Sequence, residues 1–129
     1  MNKLDQESVI GISALLVHAA NIDEIYSEHE KDLIKSFIKS YLKDSDTNEI
    51  LKKAEMIENN SNQLLNYTNI IKQNPMDIKK DIIEHLWKVI ISDNSVDQYE
   101  ANLMRRICGL IYFPDKESAE IKLKLLNSK

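Results

Sequence analysis

Four acidic side chains have the types and the spacing to do chemistry together. Asp23 is followed seven residues later by Glu30, and Asp93 is followed at the same interval by Glu100. Carboxylate oxygens are hard donors, and four of them with water make an oxygen cage suited to Ca²⁺ or Mg²⁺. In each pair the Asp falls where one helix should end and the Glu in the first turn of the next, so all four meet only if the two turns converge. The same positions also have a purely structural use. A Glu at the third helical position closes a capping box, an acid in a first turn gains about 0.3–1 kcal/mol from the helix dipole, and an Asp can form an Asx turn. The residues alone leave both uses open. They do exclude an EF-hand, since a loop begun at Asp93 would need Gly at position 98 and Glu at 104, where Gln98 and Met104 stand.

The acidic pairs belong to a wider duplication at an offset of seventy residues. Ile12, Leu16, Asp23, Glu30 and Leu33 meet Ile82, Leu86, Asp93, Glu100 and Leu103, while Ala19/Val89, Ile34/Met104, Lys35/Arg105 and Phe37/Ile107 keep their character. The pseudo-repeats span about residues 8–42 and 78–112. Apolar periodicity predicts a helix from about Asp5 to Ala20 and a second, opened by the Ser27-to-Glu30 capping box, to about Lys43. Asp46 or Thr47 should start a third helix with Ile50, Leu51, Ala54 and Ile57, and Ser61 a fourth with Leu64, Leu65, Ile70 and Ile71. A fifth carries Ile78, Ile82, Leu86, Val89 and Ile90, with Asn74 as its cap and Pro75 at its first position. Asp97 to Glu100 repeats the capping box and opens a sixth with Leu103, Ile107, Leu110 and Ile111. Phe113-Pro114 should end it, and Asp115 should cap a last helix with Ala119, Ile121, Leu123, Leu125 and Leu126.

Composition agrees with such a helical chain. The 129 residues are 43% hydrophobic, enough for one core, and include only two Gly and two Pro. A formal charge of −4 with interspersed signs argues against a nucleic-acid partner. The lone Cys108 excludes an internal disulfide and sits at helical spacing from Met104, as a buried structural thiol would. No apolar run reaches the roughly 20 residues of a spanning helix and the start lacks a signal-peptide pattern, so no direct membrane insertion and a cytoplasmic location are expected. His18, His29 and His85 occupy no equivalent repeat positions, and no metalloprotease, nucleophile-elbow or phosphate-loop motif occurs, so an enzyme is not expected. Trp87 extends the apolar stripe of its helix, and Arg105-Arg106 read as a solvated face able to meet an acidic partner.

The second half, Leu86-Trp87-Lys88-Val89, then Asp93-Asn94, then Glu100 ahead of Arg105-Arg106-Ile107, resembles the signature of the tellurite-resistance TerB family: an LW-x-V-A segment, an Asp-Gly turn and a Glu opening a helix that contains Arg-Arg-Ile. Leu15 to Ala20, Asp23 and Glu30 are similar to its degenerate partner. The resemblance covers about residues 8–112. It implies the TerB-like helical fold, shared with the N-terminal domain of membrane-anchored DnaJ-like co-chaperones, a link to tellurite and other stresses, and a divalent metal at the acidic turns. The sequence departs from the family where a glycine usually follows the turn Asp, having Glu24 and Asn94 there; Asn is the better tolerated in left-handed backbone. No His-Pro-Asp tripeptide occurs, so a J domain is absent.

The expectation is an all-α, single TerB-like domain over residues 1–129, of about seven helices in two pseudo-repeated hairpins. Its expected role is a non-enzymatic stress-response module binding Ca²⁺ or Mg²⁺ through Asp23, Glu30, Asp93 and Glu100. The alternative is a metal-free interaction or co-chaperone-associated scaffold; either way a protein partner is expected.

Overall fold

The computed structural model describes residues 5–21, 27–43, 46–60, 64–91 and 98–127. Seven helices carry these residues: α1 (Gln6–Ala20), α2 (Glu28–Tyr41), α3 (Thr47–Asn60), α4 (Leu64–Lys72), α5 (Met76–Ile91), α6 (Gln98–Ile111) and α7 (Asp115–Asn127). The architecture is all-α, as expected, and among the described residues there is no strand. No described helix is long and apolar enough to cross a membrane.

α1 is apolar almost all round, and a helix with no polar face must be enclosed. It packs against α2, α3, α4 and α5, burying ten residues from Val9 to Ala20. α2 is conventionally amphipathic and buries Glu30, Ile34, Phe37 and Ile38. α5 is the second organising helix, burying Ile78, Ile82, Ile83, Leu86, Trp87 and Val89 to Ile91 against α1, α2 and α7.

Side-chain pairings set the helix directions. Phe37 meets His85 edge-on, with centroids 5.1 Å apart, and the Tyr41 hydroxyl donates to Asp81 Oδ2 at 2.5 Å. Rising numbers on α2 thus meet falling numbers on α5, so the two are antiparallel. α2 also packs on α1, which it follows after a short connection. α1 and α5 therefore end at the same end of the bundle, where α2 and α6 begin.

Several local expectations shift by a residue or two, each for a visible reason. Asp5 caps α1, accepting the Ser8 amide at 2.8 Å, and hydrogen bonds from the Ser8 hydroxyl and then its amide hold this carboxyl below its ordinary value. Asp46 caps α3 through the Asn48 amide at 3.0 Å. Asn74 does not cap α5. Its Nδ2 donates back to the Ile70 carbonyl at 2.8 Å, closing the end of α4, and Pro75 takes the cap position with its carbonyl accepting from Lys79. Pro114 likewise accepts from the Ser118 amide, which moves Asp115 into the first turn of α7. α2 stops at Tyr41, and Ile57 is 39% exposed because Glu58 takes the inward position next to it. The expected cap residues Ser61 and Asp97 lie outside the described residues, as do the side chains of Leu64 and Leu65.

α6 ends in a Schellman-type closure, with the Phe113 amide donating to the Cys108 carbonyl at 2.9 Å. That closure needs left-handed backbone at Tyr112, whose φ is 60°. The turn drives Phe113 into the core and aims α7 back along α5.

The two glycines make opposite demands. Nothing lies within 4 Å of a methyl placed on Gly109, an exposed position inside α6. Gly109→Ala is therefore expected to raise stability by about 0.5–1 kcal/mol. A methyl on Gly11 would lie 2.5 Å from Ile70 Cδ1, so Gly11→Ala must displace that side chain and is expected to return less. Urea unfolding checks both, and Ile70→Val, which removes the obstructing carbon, should restore the benefit at Gly11.

Candidate metal centre

Of the four acids singled out by the repeat, Glu30 is the one whose side chain is described. Asp23, Asp93 and the side chain of Glu100 lie outside the described residues. Glu30 is 6% exposed and sits in a complete capping box. The Ser27 amide donates to its Oε1 at 2.8 Å and the Ser27 hydroxyl to the same oxygen at 3.1 Å, while the Glu30 amide donates to Ser27 Oγ at 3.2 Å. Ser27 is non-helical and Glu30 stands at the third position of α2, so the local sequence itself fixes this carboxylate at the helix mouth.

Glu30 thus performs the structural role allowed by the sequence. Carboxylates are the donor set for a hard cation and fit Ca²⁺ or Mg²⁺ rather than a thiophilic metal. Among the described residues, no group of three or more His, Cys, Asp or Glu is placed to hold a metal ion.

Two further acid-centred clusters were not anticipated. In the first, Glu58 of α3, 7% exposed, meets His18 Nδ1 of α1 at 2.9 Å through Oε2 and accepts from the Tyr67 hydroxyl of α4 at 3.2 Å through Oε1. The available signal was the i, i+3, i+7 run of Leu51, Ala54 and Glu58, which puts an acid on a buried stripe. In the second, Asp81 of α5 accepts from Tyr41, and His85 Nδ1 lies 2.8 Å from the Asp81 carbonyl. That geometry assigns the proton to Nδ1. Each cluster ties helices together.

Both tyrosines titrate late. Burial, then the charge of Glu58 and its hydrogen bond, pushes the Tyr67 phenol up to about 12, and burial with the bond to Asp81 raises Tyr41 as well. The folded state therefore prefers the neutral phenol. Its stabilising contribution is complete below the ordinary value of 10.0 and is lost as pH rises through about 12. Stability is expected to fall across this alkaline range more steeply in the parent than in Tyr41→Phe or Tyr67→Phe, as followed by urea unfolding at stepped pH.

On the other side of α5 the Trp87 indole donates to Ser118 Oγ at 2.9 Å. Cys108 is 1% exposed, and burial raises its thiol although a hydrogen bond with Ser118 opposes the shift. This is a packed thiol rather than a reactive one.

Seven helices among the described residues, packed around an apolar first helix, define a TerB-like all-α domain. The family model described as tellurite resistance protein TerB matches residues 10–123, and the chain belongs to the TerB family. Comparison with curated proteins and with solved structures gave no match.

Proposed function

We propose that this TerB-family protein is a non-enzymatic stress-response module of the tellurite-resistance type that binds a divalent cation, Ca²⁺ or Mg²⁺, through Asp23, Glu30, Asp93 and Glu100. The observation that carries this reading is helix direction. Because α2 runs antiparallel to α5, the ends of α1 and α5 and the beginnings of α2 and α6 share one end of the bundle. These are the four helix ends that flank the acidic residues. Convergence, the one requirement that spacing alone could not meet, thereby gains support. Concentrating like charges at one end is unfavourable without a counter-charge, and a bound cation would supply it. It would also bridge the two hairpins, making occupancy and the packing of the halves mutually dependent.

Thermal unfolding of chelator-treated protein tests this reading, with and without millimolar Ca²⁺, Mg²⁺ or Mn²⁺. A cation that binds the folded state alone, at about a hundred times its Kd, should add roughly 2.7 kcal/mol. In a chain this size that is a rise of several degrees. The rise should vanish in Asp93→Asn while the helical content stays unchanged. Absence of a rise with all three cations would leave the acids as helix caps.

A further inference from the structure

We draw no further inference here: the strongest candidate, the cleft of about 180 Å³ between α5 and α7 that Glu84, Glu117 and Glu120 line together with Lys80 and Lys124, is an acidic cluster offset by two lysines, and nothing in the structure points to a ligand for it.

Discussion

Truncation of Phe37 to alanine is expected to destabilise the protein by about 3–5 kcal/mol. Phe37 is 0% exposed and stands where α2 crosses α5. Its ring meets His85 edge-on and lies 5.2 Å from that of Tyr41, so one side chain supports both ends of the Tyr41–Asp81 bond. Removing it leaves a void that rigid helices cannot close, and it loosens the register that aligns the two hairpins. Phe37→Leu retains most of the apolar volume and should cost considerably less. Urea unfolding of both variants gives the comparison. If Phe37→Ala cost under about 1 kcal/mol, the α2–α5 seam could not be what orients the halves.

Trp87→Ala is expected to cost about 3–5 kcal/mol on the opposite face of α5. The indole is 4% exposed and its ring joins α5 to α7 through Ser118. α7 otherwise buries only Ser118 and Ile121 among its described residues, with Leu125 packed partly against the core. Loss of the indole should therefore detach α7 before the rest of the bundle. Hydrogen exchange is expected to show α7 amides losing protection first, while α1 amides keep theirs. Trp87→Phe, which preserves apolar bulk but deletes the donor to Ser118, should cost about 1–2 kcal/mol, separating the hydrogen bond from the packing.

These two residues also show how much of the molecule was legible in the sequence. Trp87 sat on an apolar stripe and the structure buries it. The capping box at Ser27 was readable because both partners are close in sequence and the chemistry needs nothing distant. α1 shows what was harder. Its apolar stripe was plain, but burial on nearly all sides depends on how α3 and α4 wrap it. Glu58 shows what periodicity hides. An acid on a helix reads as solvated unless its partners are known, and His18 and Tyr67 come from other helices at separations of 40 and nine residues. The caps at Asn74 and Asp115 each slipped by one position because a neighbouring proline took the cap instead. For the candidate site, spacing supplied the four acids, and only the direction of α2 against α5 bears on whether their turns share an end of the bundle.

The central claim is that both acidic turns serve one cation, and calorimetric titration of chelator-treated protein with Ca²⁺ and with Mg²⁺ tests it most directly. The expected result is one cation bound per chain, with binding lost in Asp23→Asn and equally in Asp93→Asn, because each hairpin supplies half of the ligands. Titrations without heat or saturation for either cation, or binding that survives both substitutions, would contradict it.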